Sequence, residues 1–331
     1  MAADKSELKC MHKQIWDGLE LPASFISNDM INTIIKAYPN QEISKWWISM
    51  AISTRLFGRT GPSVTRVGLG GEGVLRTYGR GRDALQVIEE AATRGISYFD
   101  SAKAYAGSQG YYGSFYRSHQ ENRSTIFQTS KSAAREYHEA RADLFETLEV
   151  MGLNSLDLWQ IHDLRTRGEL EEIESSDGAL KAFIEARDSG LTKYIGVTGH
   201  HDPEVLLAAI ESWPLDAVLL PVNPAEAIIG GFMDRVMTAA LDKGMAVIGM
   251  KVLGARNYIA PNLGITPELL IRFALSRDIT TAIVGCSSPE EVQQLARLGE
   301  DGRPLDPVEE ARLMDLFRPH AKSLAYYRGR I

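Results

Sequence analysis

The chain has 331 residues, 44% hydrophobic and 24% charged, with a formal net charge of −7 and 2 cysteines. An acidic balance with no basic run argues against generic nucleic-acid binding. Cys10 and Cys286 lie far apart and neither belongs to a CxxC pair, which excludes a disulfide framework and a cysteine zinc site; no metal is expected, and a reducing cytoplasm is.

The first residues, MAADKSELKCMHKQ, lack the apolar core of a secretory signal. The most apolar early stretch, WWISMAIS (46–53), is far shorter than the ~20 residues a membrane span needs. Residues 1–54 show no strand pattern and are expected to form an appended extension, helical in part. Its Trp46-Trp47 segment is a candidate packing surface for the domain or for a second copy of the chain.

From Val64 the pattern becomes regular, and residues 55–331 are expected to form one domain. Eight β-branched or apolar runs follow: RVGLG (66–70), ISYFD (96–100), TIFQTS (125–130), LDLWQIH (156–162), KYIGVTG (193–199), DAVLLPV (216–222), MAVIGMK (245–251) and TAIVG (281–285). Continuous apolar runs suit strands covered on both faces. Amphipathic stretches lie between them. ALQVIEEAATRG (84–95) sets Ala84, Val87, Ile88 and Ala91 on one stripe and ends in glycine, as do 139–152, 179–190 and 232–244. Pro203 and Pro267 sit where helices should start, and SSPEEV offers Ser288 as an N-cap with Pro289 after it. Alternating strands and helices in this number predict an α/β fold, a (β/α)8 TIM barrel. An open doubly wound sheet is the other solution. Against it, GLGGEG after the first run is followed by a gap rather than by a helix opened directly on a phosphate turn.

Barrel active sites form at the C-terminal strand ends. The second run ends in Asp100, the third at Lys131 and the fourth in His162, one βα unit of 31 residues apart each time. Tyr105 follows Asp100 in the loop. Taken singly, each has a structural reading: a buried ion pair, a satisfied core histidine, a packing tyrosine. Together they suit carbonyl reduction. A carbonyl accepting hydride builds negative charge on oxygen and needs a proton. A phenol with a reference pKa of ~10 is a weak acid near neutrality, and an adjacent ammonium lowers that value. Asp100 would hold Lys131 charged, and His162 could donate a hydrogen bond to the carbonyl oxygen. None of the four supplies hydride, so a nicotinamide cofactor is required.

The segments RLFGRTGPSVTRVGLGG (55–71), GISYFDSAKAYAGSQ (95–109), IFQTSKS (126–132), LDLWQIHDL (156–164), GLTKYIGVTGH (190–200) and IVGCSSPEEV (283–292) resemble the aldo-keto reductases, in their order and spacing, over roughly residues 55–320. The TGH form after the fifth strand looks like a bacterial branch of that family. The resemblance implies an NAD(P)H-dependent reductase of aldehydes or ketones, a small-molecule carbonyl substrate, and Tyr105 as the general acid, assisted by Lys131, Asp100 and His162. It also implies cofactor contacts from Thr198, Met250, Lys251, Leu253, Gly254, Gly285, Ser287 and Gln294. The family's strand-six glutamine is replaced near Leu219, and Met250 stands where an aromatic usually stacks on the nicotinamide. At the adenosine end the loop Gly285–Glu291 carries Ser287, Ser288 and Glu291 and no cation. A weakened preference for NADPH, with NADH also used, is therefore expected.

A cofactor-binding barrel acting as a redox sensor is the alternative from another class; the intact tetrad weighs against it. Schiff-base chemistry on Lys131 fits less well, because a neighbouring carboxylate keeps the amine protonated. The stretch 107–124, with Tyr111, Tyr112, Phe115 and Tyr116, is a candidate pocket wall, and 254–266 a candidate cover for the cofactor.

Overall fold

The computed structural model describes residues 51–329. The expected extension, with Trp46 and Trp47, falls almost wholly outside them. Two short strands, β1 (Thr54–Leu56) and β2 (Ser63–Thr65), pair antiparallel. Eight parallel strands then close a barrel: β3 (Val67–Gly73), β4 (Tyr98–Phe99), β5 (Phe127–Ser132), β6 (Leu156–Ile161), β7 (Thr192–Thr198), β8 (Ala217–Pro221), β9 (Ala246–Met250) and β10 (Thr281–Cys286). They neighbour one another in chain order, and β10 pairs with β3 to close the ring. All eight runs read from the sequence are these strands, and the (β/α)8 architecture is observed.

The continuous apolar runs follow from burial on both faces. Tyr98, Phe127, Leu158, Leu219 and Ile248 fill the barrel interior. On the outside, helix Gly81–Thr93 buries Ala84, Val87, Ile88 and Ala91, the stripe its spacing predicted. Fully burying a side chain the size of Val87 or Ile88 contributes ~1.5–3 kcal/mol, so such a stripe fixes the helix to the wall. Ser288 caps Pro289–Asp301 by accepting from Glu291 N at 3.5 Å.

Two features depart from expectation. The β1–β2 hairpin places Phe57 against Phe127 and Tyr194, with ring centroids 4.6 and 5.0 Å apart. It caps the barrel's interior cluster, and three-residue strands are too short to show a period of two. The aromatic stretch after Asp100 is a helix, Ser108–Ser118, and not a pocket wall. Tyr112, Phe115 and Tyr116 stand at helical spacing and are buried in the core. Tyr111 donates to Thr77 O at 2.6 Å.

Candidate active site

Asp100 leaves β4, Lys131 is the penultimate residue of β5, and His162 follows β6, all at the same rim. The backbone binds these ends together: Asp100 N donates to Leu69 O at 2.9 Å, and His162 N to Ser132 O at 2.8 Å. Lys131 Nζ donates to Asp100 Oδ1 and Oδ2 at 2.6 and 2.7 Å and to Ser101 O at 2.9 Å. Both residues are about 1% exposed. Thr129 Oγ1 and Gly71 N also donate to the Asp100 carboxylate, at 3.1 and 3.4 Å. The carboxylate is thus ringed with donors. Lys131 Nζ also lies 3.4 Å from the Tyr105 hydroxyl oxygen, a longer fourth contact. The His162 ring stands edge-on to Tyr105, centroids 5.6 Å apart at 83°. The structure therefore brings all four sequence-predicted residues together. Lys103, the nearer lysine in sequence, turns away to pair with Glu146.

The electrostatics differ from the sequence expectation at one point. Tyr105 is held well above the ordinary tyrosine range, by burial first and the Asp100 carboxylate second. The lowering expected from Lys131 is outweighed: that ammonium is held against the Asp100 carboxylate, and burial and the nearby anion dominate at the phenol. Burial lowers Lys131, and Asp100 opposes it. Burial, with Lys131 second, pushes His162 down to about 3. The imidazole is neutral at any working pH, so one ring N–H is available as a donor without a charge.

The residues expected at a cofactor lie around the other half of the rim. Thr198 ends β7, and its Oγ1 accepts from Asp163 N at 2.8 Å, so the hydroxyl also holds the loop after His162. Met250 ends β9, and Lys251 follows it with a φ of 56°, a conformation disfavoured outside glycine. Lys251 is half buried, and burial lowers its pKa. It has no carboxylate within ion-pair distance among the described residues. Leu253 and Gly254 lead into a short turn, where a Cβ on Gly254 would meet the Tyr258 ring at 2.5 Å. Gly285 lies in β10, with Ser287 just beyond it; Gln294 is exposed on the following helix. Ser287 N donates to Glu291 Oε2 at 2.7 Å. The loop 285–291 carries no cation of its own, but Arg256 reaches across from the β9 loop to Glu291 at 3.0 Å.

Several groups at this mouth escaped the sequence reading. Arg76 lies 5.0 Å from the Tyr105 ring centroid. Asp163, at φ 58°, pairs with His200 Nε2 at 3.3 Å. The chain end returns to the rim: Asn223 Nδ2 donates to the Tyr327 hydroxyl at 2.9 Å, and Arg328 pairs with the buried Glu226. The segment 254–266 is pinned by this tail, with Tyr258 Oη donating to Leu324 O at 3.0 Å. No periodicity marks such long-range partners.

The family model described as "Aldo/keto reductase family" matches residues 66–259. L-galactose dehydrogenase from Arabidopsis thaliana is 29% identical over 311 residues, spanning 78% of this chain and 93% of that protein. An aldo-keto reductase from Bacillus halodurans in its holo form superposes with a TM-score of 0.66 at 16% identity, over 84% of this chain and 98% of that one. An aldo/keto reductase from Klebsiella pneumoniae, in complex with NADP and acetate, gives 0.65 at 18% identity, over 80% and 95%. At these identities the two structures establish the fold.

Proposed function

The chain belongs to the aldo/keto reductase family and is an NAD(P)H-dependent oxidoreductase; from that premise we propose that it reduces an aldehyde or ketone reversibly, with Tyr105 as the general acid and base. The observation that carries this reading is the Lys131 ammonium, which touches both Asp100 oxygens and the Tyr105 hydroxyl from a fully buried position.

The residues present fit a dinucleotide. Lys251 is a half-buried cation without a carboxylate partner among the described residues, suited to a pyrophosphate. Thr198 and Met250 would hold the nicotinamide side, Leu253 and Gly254 the bridge, and Gly285, Ser287 and Gln294 the adenosine end. The bound cofactor supplies the hydride. The chain does the rest. Neutral His162 donates an N–H to the carbonyl oxygen and orients it. Tyr105, protonated at neutrality, gives its proton to that oxygen as charge builds there. Lys131 stabilises the phenolate left behind, and Asp100 keeps the lysine in place.

A screen of aldehydes and ketones, followed by cofactor absorbance, tests this reading; aldoses and L-galactose belong in it, run in the oxidative direction with NAD(P)+. Cofactor-dependent turnover of at least one carbonyl is expected. Tight cofactor binding with no turnover across the set would instead favour the redox-sensor alternative.

Cofactor choice follows from the adenosine end. Arg256 is neutralised by Glu291, so a 2′-phosphate meets no net positive charge there. NADPH and NADH dissociation constants should lie within about tenfold of each other. Glu291→Gln frees Arg256 and removes an anion, so NADPH should tighten relative to NADH by roughly two- to fivefold, the range of an exposed charge pair. NADPH binding more than about tenfold tighter in the unaltered protein would reject this account.

A further inference from the structure

Arg76 is half exposed and, taken alone, would pass for a solvated surface residue. Its setting says otherwise. The chain leaves β3 through Gly73, whose φ is 72° and whose missing Cβ would lie 2.6 Å from Cys286 O. Only glycine serves at such a position. The turn that follows, Val74–Arg76, is anchored by Val74 and Leu75, 4% and 0% exposed. Arg76 is therefore presented from a fixed base. Its Nη1 donates to Glu72 Oε1 at 2.7 Å, one turn back. The guanidinium carbon lies 5.0 Å from the Tyr105 ring centroid, close to the 4.7 Å of Lys131 Nζ.

We propose that Arg76 is a positioning residue for Tyr105: a second cation against its ring that favours the phenolate, with Glu72 as the opposing charge that sets how strongly it acts. The charged and titratable groups facing Tyr105 are Asp100, Lys131, His162, Asp163, Glu72 and Arg76. His162 is neutral. Asp100 and Lys131 are locked together as a buried pair, and Asp163 is engaged by Arg165 at the rim. The exposed pair Glu72–Arg76 is the part of this set that substitution can unbalance without opening the core. A cation near the phenol lowers its pKa and an anion raises it, and Arg76 and Glu72 act on Tyr105 in those two directions.

The kinetic half of this inference rests on the proposed role of Tyr105; the spectroscopic half does not. Alcohol oxidation needs the phenolate as base, so its kcat/KM rises with pH through the pKa of Tyr105. In the holoenzyme, Arg76→Gln should move that rise to higher pH, and Glu72→Gln should move it to lower pH. Each shift should be roughly half a pH unit, the size of one screened charge at this distance. Arg76→Lys should restore most of the unaltered profile, and about 1 M salt should shrink both shifts. Phenolate difference absorbance, each variant against the same variant carrying Tyr105→Phe, reads the ionisation of Tyr105 directly. Both substitutions break the same ion pair, so a merely structural role moves the two variants the same way. Opposite shifts support the proposal; shifts of one sign, or none, overturn it. Should Tyr105→Phe retain turnover, the role of Tyr105 falls, and the absorbance titration still decides the role of Arg76.

Discussion

Tyr105→Phe is expected to lower kcat for carbonyl reduction by about 10²–10⁴-fold, the usual worth of a positioned acid or base, while leaving cofactor binding largely intact. The substitution removes one O–H and little else. The ring keeps its place against Gly71, where a Cβ would stand 2.4 Å from the Tyr105 Cε2 atom. It keeps its edge contact with His162 and its cation neighbours. The carbonyl oxygen would then still be oriented by His162, but no proton would be at hand as charge develops. Neutral His162 is a poor replacement, because a group pushed down to about 3 holds its N–H proton tightly as a neutral ring and carries no second one. The measurement is single-turnover reduction alongside fluorescence titration of the cofactor. Unchanged kcat would remove Tyr105 from the mechanism, and a large loss of cofactor affinity would make its role one of binding.

Asp100→Asn is expected to cost stability as well as turnover. It leaves the Lys131 ammonium, fully buried, without its carboxylate. Breaking a buried pair by removing one partner typically destabilises by about 3–5 kcal/mol, because the remaining charge is uncompensated. The loss should show as a lower urea midpoint with an unchanged slope. Adding Lys131→Met to the same chain removes the stranded charge, so the double variant should recover much of the midpoint while staying inactive. Recovery of stability without activity separates the two functions of the pair. If the single variant unfolds at the unaltered midpoint, Lys131 is not held as a buried cation by Asp100.

The strand ends were legible because barrel geometry is periodic. Asp100, Lys131 and His162 recur one βα unit apart, and neighbouring parallel strands bring residues at matched positions to one rim. The helix Gly81–Thr93 was legible for the same kind of reason, since its stripe repeats at helical spacing. The helix Ser108–Ser118 carried that signal too, but its glycines and tyrosines disguised it as a loop. Arg76, Asp163, Asn223 and Tyr327 carried none. Arg76 meets Tyr105, Asp163 meets His200, Asn223 meets Tyr327 and Tyr327 meets Tyr258 across 29, 37, 104 and 69 residues, and nothing local records such a meeting.

The amino-acid sequence by itself determined the barrel, its eight strands and the four residues at one rim, because each rests on local periodicity and on one repeated unit of architecture. The tertiary structure decided the electrostatics. How far Lys131 can lower the Tyr105 pKa depends on what else surrounds the phenol, and only folding shows the lysine held 2.6 Å from Asp100 and Tyr105 buried beside the pair. The same holds for Glu291, which has no cation near it in the chain and is paired in space with Arg256. Charge acts through distance and burial, and both are fixed only when remote segments pack.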